Sequence, residues 1–383
     1  MNSIFRPLTA VCMMSVLSGC FLPGCGSGGG DEILIGHFGS MTGSEATFGE
    51  STDNGIKIAV EEFNAAGGLN GKKVKLITYD DKGDAREAAN AVTRLVTKDE
   101  VVAVIGEVSS GLSLAGAPIC QENKVPMVSP SSTNPKVTEV GDMIFRVCFI
   151  DPFQGFVCAK FARENDRLKA TKAAILNDQA SPYSVGLQEE FETAFTALGG
   201  TVVSKQTYTA GDQDFSAQLT AIRSAEAEVL FLPGYYTDVG NICLQARKLG
   251  LKIPLLGGDG WDSAKLGEIA GDSIDGCFYS NHYSPEDPSP RVQEFIAKYK
   301  SRHNTTPDAL AALGYDTARV IFEAMKRSGS LDGAALAAEL ARTREFDGVT
   351  GSISLDAKRN AVKPAVMLEM KGGKPTFVTT IAP

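Results

Sequence analysis

The chain has 383 residues, of which 43% are hydrophobic and 22% are charged, and its formal net charge at pH 7 is −9. This length suits about two domains of ordinary size, and the composition is that of a globular protein. The acidic balance argues against a nucleic-acid partner, which would require a basic face.

The first twenty residues have the pattern of an export signal. Arg6 supplies a positive flank, and residues 8–17 form a mostly apolar run that is too short to span a bilayer. The Leu-Ser-Gly-Cys sequence that ends at Cys20 resembles the lipobox, the processing motif of bacterial lipoproteins. This resemblance implies cleavage before Cys20 and a thioether-linked lipid on that residue. Two alternatives stay open: an ordinary cleaved signal, and lipidation at Cys25, which Pro23 makes the weaker candidate.

A glycine-rich stretch follows the predicted cleavage point. Residues 24–30 contain five glycines and one serine, a composition that stays a flexible coil. We therefore expect a signal peptide over 1–19, a lipid-anchored tether over 20–31 and a folded body from about residue 32. No later stretch reaches the roughly 18 consecutive apolar residues of a membrane-spanning helix, so we expect the lipid to be the only membrane anchor.

In the body, short β-branched runs alternate with longer stretches of helical periodicity. A first series predicts strands at 33–38, 74–79, 101–105, 125–128 and 144–147, with helices at 53–66 and 85–96. A second series predicts strands at 173–176, 202–208, 229–232, 254–256 and 276–280, with helices at 183–198, 215–224, 239–249 and 263–270. Several strands are near-continuous apolar runs, the pattern of a parallel sheet covered on both faces. The repeated series predicts an α/β protein with two doubly wound lobes.

Three further helices and a β-rich tail complete the chain. The helices are expected at 290–302, 308–328 and 334–342, and the tail over 353–381 alternates like a hairpin around residues 371–374. In doubly wound sheets, ligands bind beyond the carboxyl ends of the strands. This rule selects the loops at 39–49, 106–111, 129–135, 178–183, 234–236 and 257–261.

A series of short motifs keeps a fixed order along the body. Gly67-Gly68-Leu69-Asn70-Gly71-Lys72 comes first, and further motifs follow at 74–81, 104–111, 128–133, 145–155, 234–236, 257–260 and 269–276. In their order and spacing these motifs resemble the leucine/isoleucine/valine-binding proteins, the type I periplasmic solute-binding proteins of branched-chain amino acid ABC transporters. The resemblance covers residues 33–381.

The resemblance implies two Rossmann-like lobes joined by a three-strand hinge, the periplasmic binding protein-like I fold. Lobe 1 would comprise 32–150 and 283–350, and lobe 2 would comprise 151–282 and 351–383. It also implies a monomeric, extracytoplasmic binding protein that uses no cofactor and catalyses no reaction. Such a protein captures an amino acid, branched-chain or otherwise neutral, between closing lobes and delivers it to the permease and ATPase subunits of an importer.

Hydroxyl groups in lobe 1 are candidates for holding the α-carboxylate of an amino acid. Ser110 lies where a predicted strand ends and a helix begins, and a helix N-terminus receives a carboxylate well. Thr133 can offer a hydroxyl and an amide from a second loop. By resemblance, Ser110 and Thr133 hold the carboxylate, and the Ser131 carbonyl group helps to hold the ammonium. The alternative is that these hydroxyls only cap helices.

Lobe 2 supplies the candidate partner of the ammonium group. Asp259 aligns with the family's ammonium-binding acid, which is often a glutamate and is one methylene shorter here. Tyr235 aligns with the tyrosine that covers the ligand, and Tyr183 and Asp151 occupy positions that approach ligands in several members. Asp259 could instead be a solvated loop carboxylate, and Asp151 could be a structural residue of the hinge.

Two aromatic residues are candidates for an apolar side-chain pocket. Phe48 falls where family members place an aromatic ring against the ligand, and Trp261 follows Asp259 closely. Phe48 could instead pack beneath its own loop, and Trp261 could lie at the rim of the pocket rather than in its wall. Serines at 109, 131 and 132 make the lobe 1 surface rather polar, which would suit a small or polar substrate.

Other functions are less well supported by the sequence. The three histidines are scattered, and neither a Gly-x-Ser-x-Gly elbow nor a P-loop is present, which argues against an enzyme. The cysteines have no metal-ligand spacing, and whether they pair as disulfides stays open. A second hypothesis keeps the fold and makes the protein a sensing module for amides, small carboxylates or aromatic acids.

Overall fold

The computed structural model describes Met1 and residues 32–383. The predicted tether and Cys20, with all of the predicted signal peptide except Met1, lie outside the described residues. From Glu32 to Pro383 the chain forms one compact unit. Within this unit, no helix is long and apolar enough to cross a membrane.

The first sheet is parallel and is built from the first series of predicted strands. The strands are β1 (Glu32–Gly39), β2 (Lys73–Asp80), β3 (Ala103–Ile105), β4 (Met127–Ser129) and β5 (Ile144–Arg146), in the spatial order β2-β1-β3-β4-β5. The intervening helices are α1 (Ala46–Ala65), α2 (Ala85–Thr97), α3 (Ser110–Glu122) and α4 (Lys136–Glu139). Strands β3 to β5 are fully buried, which explains why they are short apolar runs.

Helix α1 begins at Ala46, earlier than the predicted residue 53. Its first turns have no apolar periodicity of their own, and the residue at the N-cap makes no side-chain capping bond. A tertiary contact holds them instead, because the Gly49 amide donates to the Ser40 carbonyl oxygen at 3.2 Å.

The second series forms the parallel part of a second sheet. Its strands are β6 (Lys172–Asp178), β7 (Thr201–Tyr208), β8 (Val229–Phe231), β9 (Leu255–Gly257) and β10 (Phe278–Asn281), in the spatial order β10-β9-β8-β6-β7. The helices of this lobe are α5 (Asp151–Glu164), α6 (Pro182–Ala197), α7 (Ser216–Ser224), α8 (Tyr236–Lys248) and α9 (Ala264–Ala270).

After β10 the chain returns to the first lobe. The helices there are α10 (Pro290–His303), α11 (Ala309–Ser328) and α12 (Gly333–Ala341), and α11 packs along α1. A Cβ atom at Gly55 would lie 1.9 Å from the Ala311 carbonyl oxygen, and one at Gly314 would lie 2.4 Å from that of Thr52. Only glycine permits this approach, so the two helices pack in close backbone contact.

The C-terminal strands divide between the lobes. Strands β11 (Phe346–Gly348), β12 (Gly351–Leu355) and β13 (Ala361–Val362) form a small antiparallel sheet. Strands β14 (Ala365–Lys371) and β15 (Lys374–Ile381) form the predicted hairpin, and β14 adds to the second sheet antiparallel to β10.

The predicted lobe boundary at residue 351 needs correction. Arg359 donates to the carbonyl oxygens of Ile144 at 3.0 Å and Thr138 at 2.8 Å, and Asn360 accepts from the Thr138 hydroxyl at 2.9 Å. Residues 351–362 therefore go with the first lobe, and the change of lobe falls near residue 363. An alternating pattern predicts a strand but does not indicate which sheet the strand joins.

The chain thus passes between the lobes three times: after β5, after β10, and between β13 and β14. The predicted α/β fold with two doubly wound lobes and a three-strand hinge is confirmed.

Candidate functional site

The two lobes are closed on each other across a cleft at the carboxyl ends of their strands. The Thr237 hydroxyl donates to the Ser44 carbonyl oxygen at 2.6 Å, and the hydroxyls of Thr47 and Ser263 lie 2.9 Å apart. The Asn134 side-chain amide donates to the Pro182 carbonyl oxygen at 2.7 Å. Ser44, Thr47, Asn134 and Pro182 belong to loops that the sequence selected as ligand-binding candidates, whereas Thr237 and Ser263 lie just beyond two of those loops.

A small enclosed space lies in the cleft between the lobes. Lobe 1 lines it with Phe48, Val108, Ser131 and Leu310, and lobe 2 lines it with Tyr183, Tyr235, Asp259 and Gly260. The space measures about 10 Å³, which is room for about one water molecule. A larger ligand must therefore enter while the lobes are apart, and its complex must be slightly wider than this closed arrangement.

The predicted hydroxyls of lobe 1 differ in their surroundings. The Ser110 hydroxyl, at the start of α3, accepts the Asn134 amide hydrogen at 3.3 Å and so joins two loops. The Ser131 side chain reaches the enclosed space, and its oxygen has no hydrogen-bond partner among the residues that the structure describes. Thr133 is buried outside the lining, and its carbonyl oxygen accepts the Asp151 amide hydrogen at 3.0 Å.

Arg146 holds the loop that carries Ser131 and Thr133. Its buried guanidinium donates to the carbonyl oxygens of Ser132, Asn134 at 2.8 Å and Pro135 at 3.3 Å. Burial lowers the pKa of Arg146, and the negative ends of these carbonyl dipoles compensate its positive charge. This one side chain at the end of β5 therefore binds three carbonyl groups of the loop and helps to fix its shape.

Asp259 is the acid that faces the cleft, and lobe 2 orients it with three donors. Its Oδ1 accepts from the Gln154 side-chain amide at 2.8 Å and from the Tyr183 hydroxyl at 3.0 Å. Its Oδ2 lies 3.0 Å from His282 Nε2. Glycine at position 258 leaves room for one of these donors, because a Cβ atom there would lie 2.4 Å from the Tyr183 hydroxyl oxygen.

The charge of Asp259 has no cationic partner within the described part of the chain. His282 is its nearest basic neighbour, and burial lowers the pKa of that imidazole below its usual value. The neutral ring then donates through Nε2, while the Phe149 ring stacks on it at 3.8 Å. The acid is oriented but not neutralised, so the cleft presents a net negative charge at this point.

Aromatic rings close the cleft beside the acid. Tyr183 and Tyr235 stack with centroids 5.3 Å apart, and the Phe48 ring meets Tyr235 edge-on at 5.5 Å. Phe48 thus reaches across the lobe boundary. Trp261 does not line the enclosed space, contrary to the expectation that it forms a wall or a rim: it is fully buried in lobe 2 and donates from Nε1 to the Leu232 carbonyl oxygen at 3.0 Å.

Asp151 lies beside the cleft rather than in its lining. Its fully buried carboxylate is adjacent to the Thr133 hydroxyl, yet neither group makes a well-aligned hydrogen bond with any residue that the structure describes. Burial raises the pKa of Asp151 to about 8, and the charge of Asp259 adds to the effect. The group is therefore largely protonated at neutral pH.

A second buried acid, Glu107, was not predicted from the sequence. It accepts from the Ser40 amide at 3.1 Å and from the Ser109 amide, and the Ser40 hydroxyl also donates to Asp81 at 2.9 Å. Burial and the charge of Asp81 raise the pKa of Glu107. These bonds brace the loop after β1 against the loop after β3, directly behind the cleft.

Other residues of the site were also missed. Gln154 belongs to one of the quoted motifs, so its position was available from the sequence, but its role as a donor to Asp259 was not. His282 was set aside as one of three scattered histidines, since only the fold brings it to Asp259. Val108 and Leu310 are ordinary apolar residues, and nothing in their local sequence distinguishes them from core positions.

The five cysteines of the folded body form no disulfide bonds with one another. Cys120, Cys148, Cys158, Cys243 and Cys277 are buried and unpaired among the described residues. Within residues 32–383, no group of three or more His, Cys, Asp or Glu side chains is arranged to hold a metal ion.

Comparison with known proteins finds relatives over nearly the whole described fold. The family model described as periplasmic binding protein matches residues 32–374. Leu/Ile/Val-binding protein homolog 2 of Brucella abortus is 33% identical over 359 residues, which is 93% of this chain and 95% of that protein.

Two solved structures are similar over nearly their whole length. The leucine binding protein LivK from Thermotoga maritima is 42% identical, with a TM-score of 0.88 over 92% of this chain and 99% of that one. The branched-chain amino acid transporter substrate binding protein LivJ from Streptococcus pneumoniae, in complex with isoleucine, is 34% identical, with a TM-score of 0.87 over 92% of this chain and 100% of that one. The chain therefore belongs to the periplasmic binding protein family, among its Leu/Ile/Val-binding members.

Proposed function

We propose that this protein captures a branched-chain amino acid between its two lobes and delivers it to an ABC importer. It would act outside the cytoplasm as a monomer, held at the membrane by a lipid on Cys20. The relatives named for leucine, isoleucine and valine support the ligand class, and the Leu-Ser-Gly-Cys sequence supports the anchor.

The observation that carries the proposal is that the Asp259 carboxylate is held by hydrogen bonds but has no lysine or arginine partner in the described chain. Three donors from lobe 2 orient it toward the cleft, and no lysine or arginine of the described chain pairs with it. A buried anion of this kind is complementary to a cationic group on a ligand. The α-ammonium of an amino acid supplies that charge.

Other residues of the cleft would bind the α-carboxylate and the side chain of the amino acid. Ser110 and Thr133 would receive the α-carboxylate near the start of α3, and the Ser131 carbonyl oxygen would share the ammonium with Asp259. Tyr235 would cover the ligand from lobe 2. An aliphatic side chain would lie against the Phe48, Val108 and Leu310 side chains.

Ligand binding and closure are coupled in this account. An amino acid binds first to the lobe 1 loops, and the lobes then close so that Asp259 and Tyr235 complete the site. Because only the closed form offers contacts from both lobes, the ligand shifts the hinge equilibrium toward closure.

A thermal-shift screen tests the proposal. The purified protein is unfolded and refolded to remove bound ligand, and is then heated with each of the twenty amino acids, short amides and aromatic carboxylates. A ligand at 100 times its dissociation constant stabilises the fold by about 2.7 kcal/mol, a shift of a few degrees. We expect leucine, isoleucine or valine to give the largest shifts.

Two other results of the screen would contradict the proposal. A shift with aromatic carboxylates and none with amino acids would instead favour a sensing module for amides, small carboxylates or aromatic acids. A shift only with strongly polar amino acids would contradict the apolar assignment of Phe48, Val108 and Leu310.

A further inference from the structure

A carboxylate of lobe 2 is bound to the start of a helix of lobe 1. The Asp262 side chain is buried, and its Oδ2 accepts the amide hydrogen of Ala309, the first residue of α11, at 2.7 Å. Its Oδ1 accepts from the Tyr279 hydroxyl at 2.9 Å, and Tyr279 belongs to β10 of the same lobe as Asp262. The unpaired amide groups and the dipole at a helix N-terminus favour a negative group in this position.

Each partner of this contact is fixed to its own lobe. Helix α11 is locked to α1 by the Gly55 and Gly314 approaches, and the Ser51 hydroxyl of α1 donates to Asp308 at 2.6 Å. Asp262 closes the turn that begins at Asp259, since its amide donates to the Asp259 carbonyl oxygen at 3.0 Å. A hinge motion that separates the lobes therefore breaks the bond between Asp262 and Ala309.

We propose that Asp262 is an interlobe latch, a positioning residue that stabilises the closed form by binding the N-terminus of α11. This inference rests on the proposed function, because it assigns a role in retaining the ligand. The same short turn carries Asp259, so the group that would bind the ammonium and the group that binds lobe 1 move together.

The latch brings two carboxylates together. Asp308, the N-cap residue of α11, lies beside Asp262, and its Oδ1 accepts the Ala311 amide hydrogen at 2.9 Å. Burial and the charge of Asp262 raise the pKa of Asp308 to about 7. The titratable groups that surround the pair are Asp259, Tyr279, Tyr283 and Tyr299, with Lys374 on the wall of the adjoining cavity of about 370 Å³.

The pair of carboxylates, Asp262 and Asp308, makes closure of the lobes depend on pH. Opening the lobes removes Asp262 from Asp308, so the pKa of Asp308 is higher in the closed form than in the open form. Protonation therefore favours closure, and closure becomes less favourable as the pH rises through about 7. The ligand should leave more slowly at pH 6 than at pH 8.

Dissociation rates of the amino acid found in the thermal-shift screen test the latch. For Asp262→Ala we expect about tenfold faster dissociation at pH 6, since the variant lacks a hydrogen bond to a charged group that is made only in the closed form. For Asp262→Asn, which keeps an acceptor for Ala309 but loses the charge, we expect a flatter pH profile. Asp272→Ala, which removes an exposed carboxylate of the same lobe, is the matched control.

Rates within twofold of wild type for both Asp262 variants, with an unchanged pH profile, would overturn the latch while leaving the proposed function intact. If the wild-type protein binds no amino acid, the proposed function fails, and small-angle scattering at pH 6 then tests the latch directly. Loss of Asp262 should increase the radius of gyration by opening the lobes, and an unchanged radius would contradict the proposal.

Discussion

Replacing Asp259 with alanine is expected to weaken amino-acid binding at least tenfold. The substitution removes the uncompensated carboxylate that would face the ligand ammonium, and it leaves the Gln154 and Tyr183 donors without their acceptor. Isothermal titration calorimetry with the amino acid selected by the thermal-shift screen measures the effect.

The variant Asp259→Asn separates charge from shape. It keeps the size of the side chain and one acceptor, so its unfolding temperature should stay near that of the wild type while its affinity falls about as far as that of the alanine variant. If the asparagine variant binds with unchanged affinity, the ammonium does not depend on Asp259, and the assignment of this residue is wrong.

Replacing Arg146 with methionine is expected to abolish measurable binding and to destabilise the fold. The substitution keeps an unbranched apolar stem but removes the guanidinium, so the carbonyl oxygens of Ser132, Asn134 and Pro135 lose this buried donor. Such losses cost about 2 to 4 kcal/mol, which corresponds to a fall of roughly 3 to 5 °C in the unfolding temperature of a folded body of this size. Differential scanning calorimetry and titration of the same sample measure both effects.

The matched control is Arg86→Met, which removes an exposed arginine that pairs with Asp84 at the surface. Surface pairs of this kind contribute little, so this variant should behave as the wild type does. An Arg146→Met protein that binds its ligand normally would show that the loop of Ser131 and Thr133 keeps its shape without the guanidinium.

The architecture was predictable because its strands and helices have strong local patterns. The short strands β3, β4 and β5 and the periodicity of α2 identified the first lobe from the sequence alone, and the repeat of the series over residues 173–280 identified the second. The start of α1 and the lobe of β12 and β13 were not predictable, because tertiary contacts determine them. Arg359 and Asn360 bind lobe 1 from a segment whose alternation is the same as that of the following hairpin.

The site was predictable to the extent that its residues fall in recognisable loops. Phe48, Ser131, Tyr183, Tyr235 and Asp259 all line the enclosed space between the lobes. Ser110, Thr133 and Asp151 lie in the loops beside it, and the ligand-binding roles of all eight residues stay predictions. The network around Asp259 was not predictable, because Gln154 and His282 reach the acid from positions 105 and 23 residues away in the chain.

We propose that the cleft recognises an amino acid by both of its charged groups. Calorimetric titration of the refolded protein with leucine, with 4-methylpentanoate and with 3-methylbutylamine tests it most directly, because the two analogues each lack one charged group. We predict binding of leucine and a loss of at least a hundredfold in affinity for each analogue, about 2.7 kcal/mol or more. Binding of 4-methylpentanoate as tight as that of leucine would contradict it, since the ammonium would then contribute nothing.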